Sequence, residues 1–207
     1  MQLRTTLVSE TKLIQSLQHN CPEAFRQLVD LFQERMLNTC LGFVPNLEDA
    51  EDICQEAFIE IYRSIHNFRG EARLSTWVYR VTVAKSLDHL KAKKRKKRCA
   101  QVISLDRISL KPMNLFDDDF NHPGVALEQK ERTKLLFDEI GKLPENQKIA
   151  CILNKIEGLS YKEVAQIMEL SKSSVESLLF RAKGNLKKYL RAHFQKGTIS
   201  KRMKVPK

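Results

Sequence analysis

Six carboxylates crowd thirteen residues, Glu48, Asp49, Glu51, Asp52, Glu56 and Glu60, with Gln55 among them. Seven bases then fill eight positions from Lys91 to Arg98, including Lys94 and Arg95. Between the blocks lie Tyr62, Phe68, Trp77 and Tyr79. The two charge blocks ask for different partners. Carboxylates repel phosphate, and this block lacks the lysines four residues on that support a solvated helical face. A basic protein surface is the partner it fits, with a plain solvated face as the alternative. Clustered bases release the counterions condensed on a nucleic acid, although bases at a helix end also answer the helix dipole. Aromatic rings beside Arg69 and Arg80 suit bases taken out of a duplex, because stacking accepts any unpaired base. For Trp77 the alternative is an ordinary core residue.

A second constellation lies between Ser160 and Lys183. Ser160 with Glu163 reads as a capping box, Ser171 suits the cap of a following helix, and only Glu169, Leu170 and Ser171 separate the two helices. Small Ala165 stands where the helices must approach. This is the helix-turn-helix pattern, whose second helix enters the major groove. Setting aside the stripe Val175, Leu178 or Leu179, and Ala182 leaves Lys172, Ser173, Ser174, Glu176, Ser177, Phe180 and Arg181 facing outward. Arg181 can bond phosphate or fork onto guanine, and the serines can bond base edges or phosphate. A helical packing unit with no DNA role is the alternative.

Helices must position all of these groups. Apolar residues make up 42% of the 207, and Gly 7 with Pro 6 is low for a protein of sheets and turns, so the expected class is all-α in two small helical domains joined by a flexible linker. The first domain is expected over 9–98. It opens with a helix over 9–20 capped by Ser9, then one from Pro22 whose stripe is Phe25, Leu28, Val29, Phe32, Met36, Leu37 and Leu41. The third runs from Leu47 to Ile65 and buries Ile53, Ala57, Phe58 and Ile61. A polar connection around Gly70 leads to the fourth, from Leu74 to about Arg98, with Leu74, Trp77, Val78, Val81, Ala84, Leu87 and Leu90 as its stripe. Periodicity fails over 99–126, longer than an ordinary connection inside one domain. The second domain is expected over 127–195. It holds a helix ending at Gly141, one from Pro144 to Ile156 closed by Gly158, and the helix-turn-helix pair. The basic, aperiodic 196–207 reads as a disordered tail.

A net charge of +11 favours a polyanionic partner. No run of eighteen apolar residues indicates a membrane span, and the first residues lack the apolar block of a signal peptide, so the expected location is cytoplasmic. Cys21, Cys40, Cys54, Cys99 and Cys151 contain no CxxC pair and read as buried small hydrophobes rather than a zinc site. The five histidines are scattered, no nucleophile and base come together, and no second acidic block completes a two-metal nuclease centre. No catalytic residue, metal or cofactor is expected.

Asp49 Ala50 Glu51 Asp52, Gln55 Glu56, Asn67 Phe68 Arg69 Gly70 and Ser75 Thr76 Trp77 Val78 Tyr79 Arg80 together resemble region 2 of the extracytoplasmic-function (ECF, group 4) sigma factors of RNA polymerase. Leu143 Pro144 Glu145, Glu157 Gly158 Leu159 Ser160 Tyr161 Lys162 Glu163 Val164 Ala165, Ser174 Val175 and Arg181 Ala182 resemble their region 4. The resemblance covers about residues 9–194. It implies a sigma factor that binds core RNA polymerase through its clamp helices and flap and directs initiation at promoter DNA, with an anti-sigma factor as inhibitor. Asp49, Glu51, Asp52, Gln55 and Glu56 then match the clamp-helix surface. Phe68, Arg69, Trp77, Arg80, Lys91, Lys94 and Arg95 match the part that receives and holds the minus-ten element. Lys172, Ser173, Ser174, Glu176, Ser177, Phe180 and Arg181 match the helix that reads the minus-thirty-five element. Ala84 departs from the asparagine common near the minus-ten bases, and Glu176 and Leu178 depart from the bases common on the recognition helix. The rival from the residues alone is a helix-turn-helix regulator that binds DNA unaided.

Overall fold

The computed structural model describes the backbone of residues 2–102 and 135–202 and the side chains of residues 10–96 and 135–191. The described residues are helical without a strand and divide into two compact units. The first contains α1 (Gln2–Gln18), α2 (Pro22–Phe43), α3 (Leu47–Ser64), a single 3-10 turn (Ile65–Asn67) and α4 (Leu74–Val102). The second contains α5 (135–141 as described), α6 (Glu145–Cys151), most of α7 (Tyr161–Met168) and α8 (Lys172–Arg202). No described helix is long and apolar enough to cross a membrane.

Pro22 opens α2 because its missing N–H costs nothing in a first turn and its fixed φ is already helical. α1 begins earlier than Ser9, which therefore lies inside the helix rather than capping it. The helix ends at Gln18, and the chain then turns at Asn20, whose left-handed backbone (φ 57°) is a conformation asparagine tolerates. α2, α3 and α4 pack on one another and bury Leu28, Met36 and Cys40 from α2, Ile53, Ala57 and Ile61 from α3, and Leu74 and Val78 from α4. Each fully buried Leu or Ile of this set contributes ~1.5–3 kcal/mol.

The buried stripe of α4 differs from the apolar pattern. Thr76, Thr82 and Ser86 are buried, whereas Ala84 is exposed and Trp77 and Val81 are only half-buried. The polar residues are tolerated inside because the Thr82 hydroxyl donates to the Val78 carbonyl at 2.9 Å and the Ser86 hydroxyl to that of Thr82 at 2.8 Å. A hydroxyl satisfied by its own helix is buried at little cost. Ser86 also approaches the sulfur of Cys40 at 3.9 Å. The neighbouring Cys54 thiol and burial together push the Cys40 thiol up, which keeps it neutral. Cys40, Cys54 and Cys151 are buried and Cys21 is half-buried; Cys99 lies outside the described side chains.

In the second unit, Ile149, Ile152 and Leu153 form a core with Val164, Val175, Leu179 and Ala182. Asn185 on α8 donates to Gln147 on α6 at 2.8 Å. The helix expected up to Ile156 stops being α at Cys151 and continues as a π turn, Ile152–Ile156. The Asn154 amide donates to the Leu159 carbonyl at 2.7 Å, and Gly158 takes a φ of +69°. That side-chain bond and the left-handed glycine let the chain reverse into α7.

α8 runs on to Arg202, past the helix end expected at about Leu190 and past residue 195, the expected end of the second domain, so the first residues of the expected aperiodic tail are helical. Similarly, residues 99–102 continue α4 rather than starting the linker. The remaining linker positions, 103–126, lie outside the described residues, as do 203–207.

Candidate protein and nucleic-acid interfaces

α3 is amphipathic for a simple reason. Ala50, Ile53, Ala57 and Ile61 recur at three and four and are buried, which turns Asp52, Gln55, Glu56 and Ile59 to the opposite side. Glu51, Asp52, Gln55 and Glu56 are exposed, and among the described residues these three carboxylates form no ion pair. Asp49 is different. It accepts from Lys93 of α4 at 2.5 Å, with His89 at 3.7 Å, and its side chain is only 22% exposed. Glu60 likewise pairs with Lys85 at 2.9 Å, and the hydrogen bond and charge of that ammonium hold the Glu60 carboxyl below its usual range. The lysines missing from α3 are thus supplied across the helix pair by α4.

Ile59 was not among the expected contact residues. It is 51% exposed, on the same turn-to-turn row as Asp52 and Glu56. Tyr62 follows at 45%, its ring edge-on to Phe25 with centroids 5.1 Å apart. The signal in the sequence was an isoleucine standing outside the buried period of its helix.

α4 sorts its cations onto two faces. Lys85, His89 and Lys93, four residues apart, meet α3. Trp77, Arg80, Ala84, Lys91 and Arg95 fall on the other face by helical spacing, the last three exposed and the first two half-buried, with Lys94 exposed nearby.

The loop before α4 corrects the aromatic reading. Phe68 is 8% exposed and Tyr79 3%, so neither presents a free stacking surface. The Phe68 ring packs against Trp77 at 5.2 Å between centroids. Its burial follows from position, because the 3-10 turn Ile65–Asn67 carries Ile65 into the core and drags Phe68 inward after it. His66, Asn67, Arg69, Gly70 and Glu71 remain exposed around it. Gly70 takes φ +72° with open space where a Cβ would sit, so alanine there costs about 1–2 kcal/mol in backbone strain rather than in clashes.

α7 and α8 carry the caps expected of them. The Ser160 N–H donates to Glu163 at 2.9 Å and the Glu163 N–H to the Ser160 hydroxyl at 3.3 Å, closing the capping box. The Ser174 N–H donates to the Ser171 hydroxyl at 3.1 Å. Glu169 turns the chain between the helices with a φ of 56°. Val175, Leu178, Leu179 and Ala182 are buried, and Lys172, Ser173, Glu176, Ser177, Phe180 and Arg181 are exposed. Ser174 is the exception among the expected outward residues. It is half-buried, with its hydroxyl 2.8 Å from that of Ser171, because the cap draws it toward the helix start. Phe180 is 81% exposed, an apolar ring facing straight away from the core. The Arg181 Nε donates to the Ser177 carbonyl one turn back at 3.2 Å, which steadies its guanidinium along the outer face.

A helical unit with an acid-faced helix beside a base-faced one, together with a capped helix-turn-helix, defines a factor built to meet both a protein and DNA. Residues 28–96 match the family profile of sigma-70 region 2 and residues 133–186 that of sigma-70 region 4. The chain belongs to the ECF sigma factors of RNA polymerase. It is 31% identical to the RNA polymerase sigma-H factor of Pseudomonas aeruginosa across 89% of this chain and 95% of that protein. The ECF RNA polymerase sigma-E factor of Haemophilus influenzae is 32% identical across 85% of this chain and 92% of its own length. Among solved structures, the fold is shared with CnrH in complex with the cytosolic domain of CnrY (TM-score 0.63, 20% identity, 88% of this chain and 97% of that one). It is shared too with the sigma factor RpoE in complex with the anti-sigma factor NepR from Bartonella quintana (TM-score 0.58, 17% identity, 81% and 96%).

Proposed function

We propose that this sigma factor docks on core RNA polymerase through the outer face of α3, admits the minus-ten element against the loop before α4 and the outer face of α4, and reads the minus-thirty-five element with α8. The observation that carries the reading is the sorting of charge in the first unit, where among the described residues Glu51, Asp52 and Glu56 carry no ion pair while Lys91, Lys94 and Arg95 stand exposed on another helix. Unpaired acids meet a basic protein surface and unpaired bases meet phosphate. The separation lets both happen at once.

Within the docking face, Glu51, Asp52, Gln55 and Glu56 are the polar contacts, and Asp49 serves mainly to hold Lys93. Ile59 is the apolar centre of this patch. Ile59→Ala is expected to weaken co-elution with core polymerase by about tenfold, the effect of truncating one well-desolvated interface anchor. Its thermal unfolding should stay near that of the parent because the side chain is half outside already. In the minus-ten region Arg69, Trp77 and Arg80 are the contact residues, whereas Phe68 acts from beneath by supporting Trp77. On α8, Lys172, Ser173, Glu176, Ser177, Phe180 and Arg181 face the groove, and Ser174 stays with the cap.

The role is non-catalytic and cytoplasmic, since a sigma factor works where its polymerase and promoters are. Two solved structures of the same fold hold a partner protein, one of them an anti-sigma factor, and the exposed Ile59 and Tyr62 give this chain a surface that such an inhibitor can cover. Run-off transcription of genomic fragments with core enzyme and the purified protein tests the function, with discrete transcripts expected only when both are present. Tight, sequence-specific binding to duplex by the protein alone would return the reading to an independent regulator. Capture from resting cells should recover an inhibitor besides polymerase; recovery of polymerase alone ends the anti-sigma reading.

A further inference from the structure

α1 carries none of the charged or aromatic blocks, yet two of its groups and one from the turn just after it reach the loop that precedes α4. The Glu10 carboxylate accepts the backbone N–H of Leu74 at 2.7 Å, at the first residue of α4. The Gln18 amide donates to the Phe68 carbonyl at 2.9 Å. The Asn20 side-chain oxygen lies 3.1 Å from the His66 ring nitrogen. These are contacts over 64, 50 and 46 residues of sequence, and they grip the loop at its start, its middle and its exit.

Each grip has a distinct physical role. A carboxylate on the first N–H of α4 satisfies a donor that the helix cannot pair itself and sits at the positive end of its dipole. The Gln18 bond holds the peptide that joins Phe68 to Arg69, so it sets where Arg69 emerges. Below that peptide the Phe68 ring is already fixed against Trp77. The left-handed turn at Asn20 aims its side chain at His66. Leu13 and Leu17, buried on the same helix, anchor α1 so that the polar grips have a rigid base.

We infer that α1 is a strap that pre-sets the minus-ten loop, with Gln18 and Glu10 as positioning residues for promoter melting. The inference rests on the reading of Arg69 and Trp77 as minus-ten contacts and adds a second layer behind them. A loop held in one shape before DNA arrives does not lose that freedom on binding, which favours capture of an unpaired base. Without the strap the loop samples several shapes and captures the base less often.

The test uses holoenzyme assembled from core polymerase and full-length protein, on a promoter recovered by the run-off experiment. Gln18→Met keeps length and neutrality but has no donor for the Phe68 carbonyl. Glu10→Ala removes the acceptor for the Leu74 N–H, whereas Glu10→Gln retains one. Permanganate reactivity of unpaired thymines reports melting, and competition between cognate and altered minus-ten duplexes reports base discrimination. Gln18→Met and Glu10→Ala are each expected to lower melting about five- to tenfold, the equivalent of one hydrogen bond, and to blunt discrimination. Co-elution with core polymerase should be unchanged, and Glu10→Gln should stay close to the parent. Parent-like melting and discrimination in both variants overturns the strap, as does a loss of melting that merely tracks lost co-elution. If the parent holoenzyme itself opens no promoter, the minus-ten reading fails first, and the two failures are told apart.

Discussion

Reversing Asp52 and Glu56 together to lysine is expected to abolish co-elution with core polymerase and to remove all promoter-dependent transcription. Both side chains are exposed and, among the described residues, without an ion pair, so the folded unit loses no internal contact. Helical content and thermal unfolding should match the parent. Like charges placed face to face across an interface cost several kcal/mol. Two reversals on one helical row therefore outweigh the ~1–2 kcal/mol that an apolar neighbour such as Ile59 contributes. Size-exclusion co-elution over a range of salt is the measurement, because screening should partly restore a purely electrostatic loss. The matched control is Glu60→Gln. Glu60 already pairs with Lys85 inside the unit, and its neutralisation should leave polymerase binding nearly intact. Equal losses from both substitutions would argue against α3 as an oriented docking face.

Arg181→Ala carries the second large effect, expected on the minus-thirty-five element alone. Arg181 is exposed on the outer face of α8, and its guanidinium is steadied by the Ser177 carbonyl at 3.2 Å. A fork onto guanine is worth ~1–3 kcal/mol of discrimination, so transcription from a consensus promoter should fall about ten- to hundredfold. The loss should vanish on a template whose minus-thirty-five element is already scrambled. Polymerase co-elution should not change, since no residue of α3 is touched. Arg181→Lys should rescue poorly if guanine is read, because an ammonium lacks the planar fork. If Arg181 holds phosphate instead, lysine restores most activity and the loss is uniform across sequences. A panel of single-base changes in the element, transcribed by both variants, separates the two.

The same two helices show where reading from the chain alone succeeds and where it stops. On α8, the buried stripe and most of the outward set follow directly from spacing, because Val175, Leu178, Leu179 and Ala182 are apolar and their neighbours are not. On α4 spacing misleads. Trp77, Val81 and Ala84 look like core, but the interior takes Thr82 and Ser86, whose hydroxyls are satisfied within the helix. Hydropathy assigns a hydroxyl to solvent unless its hydrogen-bond partner is known, and that partner is a backbone carbonyl exposed by no pattern in the side chains. Phe68 illustrates the converse, since an aromatic beside arginines reads as a stacking surface until the turn before it carries it inward, and Tyr79 is likewise buried, on the inner side of α4.

What the sequence determined by itself is the class and the order of parts. Helical periods, the capping box at Ser160, the cap at Ser171 and the two charge blocks are local properties, decided by residues within a turn or two of each other. What only the tertiary structure decided is which of these groups are left free. Lys93 and Lys85 are taken up by Asp49 and Glu60, and the loop at Phe68 is gripped from α1 by Gln18. These pairings join residues tens of positions apart, and the spacing of side chains along one helix carries no information about which face of another helix will lie against it.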